Sequence, residues 1–299
     1  MSTRSKRGQS AGAPAPLDDA VRSARAASNG GLPTLEFAEA TPYEAYVGVR
    51  QLQSLVRPVT EHPAEPAFLV ITQVMELLFT LLRREWELAQ RQLRDDDLNG
   101  AIASIQRSVH HLRALNAAWG SLNWLTPAEF NGFRDQLGEA SGFQSYEYRH
   151  VEVLLGLKGE SVVRPHRGLP AVHADLQRAL TAPSVYDDVL AFLGRRGLAV
   201  PAAVLERDRT VEHPADDAVT EVWTAVYRDP RPGNELFVLA ETLTDVAEEF
   251  TVWRQRHVTA VRRSMGAKPG SGGSAGLAWL ERSAAREVFP ELWAARTAA

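Results

Sequence analysis

The chain has 299 residues, with 33 basic against 37 acidic side chains, a formal net charge of −4 and no cysteine. That composition excludes a disulfide framework, an iron–sulfur cluster, Cys-ligated zinc and thiolate-ligated haem, leaving eight histidines and the carboxylates to hold any metal. The charge balance argues against a nucleic-acid partner. No apolar run reaches the ~20 residues of a membrane span and no apolar secretory signal is seen, so the expectation is a soluble cytoplasmic protein with no membrane partner.

Residues 1–33 are rich in Ala, Ser, Gly, Pro and Arg and carry almost no large apolar side chain, which predicts a disordered tail ahead of a single domain over 34–299. From Thr41 the pattern is helical. Thr41-Pro42-Tyr43-Glu44 and Thr126-Pro127-Ala128-Glu129 each combine a Thr N-cap, a Pro at the first helical position and a Glu at the third, and so open helices with capping boxes. Between them, Phe68 to Leu93 and Leu98 to Trp124 repeat apolar residues at steps of three and four. Asp95-x-Asp97-x-Asn99-Gly100 resembles half a calcium loop, but Gln106 stands where a bidentate Glu is required, so the cluster reads as a cap for the following helix. His110 and His111 are neighbours on that helix and diverge by about 100°, so they cannot chelate one ion well.

Residues 141–152 concentrate aromatic and polar side chains at a turn into a helix. Arg149 there is either a bidentate carboxylate clamp or a partner for Glu147 or Glu152. Residues 159–233 are cut by Pro and Gly into shorter helices, as in an insertion packed on a bundle. Over Glu235 to Met265 the residues Leu236, Leu239, Leu243, Val246, Phe250 and Trp253 draw one apolar stripe, and the next position on it is His257. Two readings of His257 stand: a core histidine satisfied by its neighbours, or an imidazole projecting from an apolar helix face to ligate haem iron. Gly266 ends the helix. The loop Gly270 to Gly276 lacks the ending of a Walker motif and follows a helix rather than a strand, which leaves a connector or a substrate loop. No strand-like alternation is sustained anywhere, so the fold class is all-α, a helical bundle.

Three ordered blocks resemble the tryptophan 2,3-dioxygenase family: Phe68 to Leu77, Phe133 through Ser141-Gly-Phe-Gln-Ser145 to Arg149 and Glu152, and Trp253 through His257 to Gly276. The resemblance spans roughly Thr41 to Thr297. It implies haem b as cofactor with His257 as proximal iron ligand, and an indole amino acid and dioxygen as substrates. By the same resemblance Arg149 holds the substrate carboxylate, Ser271 contacts its ammonium and carboxylate region, and Phe68 packs on the indole. Tyr43 and Tyr46 match a pair lent to a neighbouring subunit, which implies a homotetramer. Thr72 occupies the place of the family's distal histidine and is the expected catalytic position on that helix. Its hydroxyl in place of an imidazole leaves three outcomes open: full dioxygenation of tryptophan to N-formylkynurenine, monooxygenation of a substituted tryptophan, or haem and indole binding without turnover.

Overall fold

The computed structural model describes residues 16–38 and 40–299, and among these every regular element is helical and none is a strand. The chain divides into two compact units, Met1–Arg57 and Pro58–Ala299. The first contains α1 (Asp19–Ser28), α2 (Pro42–Val47) and α3 (Val49–Ser54), none with a buried residue. Residues 1–15 of the expected tail lie outside the described residues, but the expectation is corrected for the segment after them. Asp18 caps α1 by accepting from the Val21 amide at 2.8 Å, and its run of Ala and Arg favours helix. At α2 the capping box is half formed: Thr41 accepts from the Glu44 amide at 3.1 Å, while the Glu44 carboxylate pairs with Arg50 instead of returning to Thr41.

The second unit is organised by three long helices, α4 (Glu65–Arg94), α5 (Leu98–Gly120) and α13 (Glu235–Met265). Around them are α6 (Pro127–Arg134), α7 (Tyr146–Leu154), α8 (Glu160–Val163), α9 (Pro170–Thr181), α10 (Val185–Arg195), α11 (Ala202–Leu205), α12 (Asp217–Tyr227), α14 (Leu277–Ala284) and α15 (Pro290–Ala298). Asp97 caps α5 by accepting from the Gly100 amide at 2.9 Å, the role its acidic cluster suggested. That helix stops at Gly120, four residues before the expected end, where the Trp124 indole N–H folds back onto the Ser121 carbonyl at 2.7 Å. At α6 the capping box of Thr126 and Glu129 is complete.

Helix α5 packs between α4 and α13, and the apolar stripes of all three meet there. Leu82, Leu112, Leu243 and Phe250 are sealed from solvent, each worth about 1.5–3 kcal/mol of burial. The Trp86 indole enters this core because its N–H donates to Ser108 Oγ at 2.8 Å. One expectation needs correcting: α4 is long and apolar enough to cross a membrane by length and composition, with a mean hydropathy of 1.5 over its best window. In this fold its inner face, Met75, Phe79, Leu82, Trp86, Ala89 and Leu93, belongs to the core.

Candidate active site

Toward the C-terminal end of α13 the three-helix packing opens into a cavity of about 560 Å³. The stripe remains buried through Phe250, Trp253 is buried but borders the cavity, and one turn further His257 faces it. Its ring stacks on Trp119 of α5 at 4.9 Å and 17°, and lies tilted against Trp253 at 5.7 Å. Part of the ring touches the cavity, yet protein atoms enclose it on all other sides. The resulting loss of solvation lowers its pKa to about 4, so the imidazole is neutral at physiological pH. Neither ring nitrogen has a protein hydrogen-bond partner among the described residues.

The opposite wall comes from α4. Phe68, Thr72 and Glu76 recur every fourth residue and therefore share one face, and all three line the cavity. Phe68 packs against Phe130 and Phe133 of α6 at ring distances of 5.7 and 5.5 Å. Thr72 stays solvent-exposed, and its hydroxyl donates back to the Phe68 carbonyl at 2.9 Å. Burial raises the pKa of Glu76, and nearby Glu147 adds to the rise against a 3.0 Å hydrogen bond from Ser145 Oγ.

Arg149 reaches the cavity from the first turn of α7. It is 8% exposed, its Nε donates to the Phe143 carbonyl at 2.9 Å, its Nη1 pairs with buried Glu152, and its guanidinium lies 5.1 Å from the Tyr148 ring centre. Of the two readings offered by sequence, the ion pair with Glu152 is present here, and it engages only part of the guanidinium. Glu152 fixes one arm and Nη2 has no protein partner among the described residues. A cation so held can take a ligand carboxylate without reorganising.

The glycine-rich loop closes the cavity beside this turn. A Cβ on Gly272 would lie 2.2 Å from the Phe143 ring, and one on Gly276, at φ +60°, would lie 2.3 Å from the Lys268 carbonyl. Backbone approach this close needs glycine at both places. Ser271 Oγ donates to the Ala140 carbonyl at 2.7 Å, which ties the loop to the turn before α7 and leaves the oxygen free to accept. Lys268 donates to Asn131 of α6 at 3.0 Å.

His257, Arg149, Phe68, Thr72 and Ser271 thus meet around one cavity of the second unit. Tyr43 and Tyr46 belong to the first unit, on α2, where they are 70% and 82% exposed. Among the lining residues with no role assigned from sequence, Trp119 and Glu76 stand out. Trp119 continues the α5 stripe one turn past Leu115, a position that periodicity marks as inward without indicating a histidine partner. Glu76 is a carboxylate on an apolar face, which is the signal that could have singled it out. Among the described residues no group of three or more His, Asp or Glu side chains is placed to hold a metal ion. A metal at His257 must therefore bring most of its own ligands.

The family model described as tryptophan 2,3-dioxygenase matches residues 29–299. The chain belongs to the tryptophan 2,3-dioxygenase family. Similar members named tryptophan 2,3-dioxygenase include one from Burkholderia pseudomallei (strain 668), 39% identical over 88% of this chain and 86% of its own. A Bordetella parapertussis member is 39% identical over 88% of this chain and 93% of its own, and one from a Polaromonas species is 38% identical over 88% and 90%. In this tryptophan 2,3-dioxygenase family member, residues separated by nearly two hundred positions share one cavity because α4 and α13 both pack on α5 and α7 packs on α4.

Proposed function

We propose that this chain is a haem-dependent dioxygenase that converts L-tryptophan to N-formylkynurenine. The observation that carries the reading is the pairing, in one apolar cavity, of a neutral unpartnered imidazole, His257, with a buried arginine that keeps one arm free, Arg149. The cavity residues fit a haem. His257 would hold the iron through its imidazole, the porphyrin would bring its own nitrogen donors where the protein offers none, and the indole N–H groups of Trp119 and Trp253 on the cavity wall are buried without a protein acceptor. When bound, haem supplies the activation of dioxygen for transfer to the indole ring.

The protein's own part is orientation. Arg149 Nη2 takes the substrate carboxylate in a charge-assisted hydrogen bond, held in direction by Glu152 and the Phe143 carbonyl. Ser271 accepts from the ammonium end. Phe68, backed by Phe130 and Phe133, offers an apolar surface to the indole and keeps water off it. Thr72 contributes shape at this wall, since its hydroxyl proton is already given to the Phe68 carbonyl.

The proposal includes a homotetramer in which Tyr43 and Tyr46 complete a neighbouring subunit's cavity. Two uncovered apolar surfaces support it: the side chains of Tyr43, Tyr46, Leu52 and Leu55 in the first unit, and a stripe of Val70, Val74, Leu77 and Leu81 along the outer face of α4 in the second. Only 22% of the most apolar window of α4 is buried within the chain.

The test is turnover. Haem-loaded, reduced protein given L-tryptophan and ¹⁸O₂ should form N-formylkynurenine carrying two labelled atoms. Unchanged substrate, or a product with one labelled atom, would overturn the reading. Mass measurement of the native assembly checks the tetramer, and Tyr43→Ala with Tyr46→Ala should raise KM.

A further inference from the structure

On the far side of the turn that carries Phe143 and Gln144 lies a second cavity of about 580 Å³, and those two residues line both. Its other walls include Ser161, Arg164, His166 and Leu169. No carboxylate lines it. The nearby Glu160 carboxylate is committed to Arg167 at 2.6 Å.

Two polar side chains of this cavity, Arg164 and His166, are unspent. The exposed Arg164 side chain makes no hydrogen bond or ion pair among the described residues, unlike most arginines of the unit. His166 is 5% exposed, and its Nε2 is buried with no hydrogen-bond partner. An unpaired buried imidazole nitrogen is costly and calls for a ligand group. Beside these donors stand the Phe143 ring and Leu169, the latter 59% exposed, so a cationic, donor-rich corner adjoins an uncovered apolar surface.

We infer that this second cavity binds a carboxylate carried on an aromatic body, separately from the substrate cavity and coupled to it through the Phe143–Gln144 turn. Arg164 pairs with the carboxylate, His166 and Ser161 complete its hydrogen bonds, and Phe143 and Leu169 hold the ring. The coupling has a physical route. The Phe143 carbonyl accepts from Arg149 Nε, and the turn is pinned by Gln144, whose carboxamide accepts from the Ser141 amide and donates to the Glu139 carbonyl, both at 3.1 Å. A ligand pressing on the outer face of Phe143 shifts the carbonyl that aims Arg149.

Equilibrium dialysis of the full-length haem-loaded protein with indole-3-acetate tests this. Wild type should bind two equivalents per chain. Arg164→Gln, at an exposed position, should weaken one of them by about tenfold or more, as expected for loss of a charged hydrogen bond. Leu169→Trp should block the same equivalent by filling the mouth, and Arg149→Gln should spare it. A single equivalent in wild type, or a second that survives both Arg164→Gln and Leu169→Trp, would overturn the inference. The N-formylkynurenine assay on the same preparations separates this result from the dioxygenase reading, because second-site binding does not depend on turnover.

Discussion

The two ends of α13 carry the same apolar periodicity and serve opposite purposes. From Leu239 to Phe250 the stripe residues are buried in the main core, alongside side chains of α5, α4 and α12. From Trp253 onward the stripe faces the cavity, and what it presents is an imidazole stacked on an indole. Close packing at one end is what permits the void at the other. Rigid helices joined along most of their length do not collapse where side chains are missing between them. An apolar stripe therefore reports exclusion of water without reporting what replaces it.

The largest expected effect separates the two ends by stability. Trp86→Ala removes a sealed indole and its hydrogen bond to Ser108, and should cost about 3–5 kcal/mol in denaturant unfolding of the haem-free protein. His257→Ala should cost about 1 kcal/mol or less in that measurement, because its ring already borders a void, while abolishing the Soret band on haem addition. Equal losses of stability for the two variants would break the comparison.

Next in size is Arg149→Gln. Loss of its charge should weaken L-tryptophan binding by roughly ten- to a hundredfold, the range for a charged hydrogen bond, with the fold unchanged by circular dichroism. A smaller effect concerns pH and the buried His150, which lies on α7 toward α9. Desolvation, followed by repulsion from Arg83, lowers its pKa to about 4 against the pull of Asp175. An unfolded histidine binds a proton near pH 6.5, so between pH 6.5 and about 4 the unfolded state holds the extra proton and stability falls as pH falls. In His150→Phe the slope of unfolding free energy against pH over that window should be shallower by up to ~1.4 kcal/mol per pH unit. An unchanged slope would place the acid sensitivity in other groups.

The smallest expected effect tests Thr72. Its hydroxyl serves its own helix, so Thr72→Val should alter kcat/KM by less than about twofold. A hydroxyl bonded to substrate would show roughly two- to tenfold, the net worth of one neutral hydrogen bond.

Local rules read directly from the chain account for much of the architecture. Thr126 and Asp97 begin helices where they do because their side chains satisfy amides a few residues away, and α13 runs from Glu235 to Met265 because its apolar spacing keeps a single face toward α5. Composition does not reveal α1, where an Asp cap and an Ala-rich run suffice for a helix with no burial, and it does not show that Val70, Val74, Leu77 and Leu81 on the outer face of α4 stay exposed. Family resemblance, and not periodicity, groups His257, Arg149, Phe68 and Ser271 from sequence.

Periodicity, capping and composition determined the helices and the sulfur-free choice of ligands, because those depend on neighbours within a few positions. Only the tertiary structure decided that Arg149 is both paired and available, that His257 leans on Trp119, and that the Thr72 hydroxyl turns inward to its own backbone. Each of these depends on which atoms from distant segments compete for one hydrogen-bonding group or one volume, and that competition exists only once α4, α5, α7 and α13 are packed.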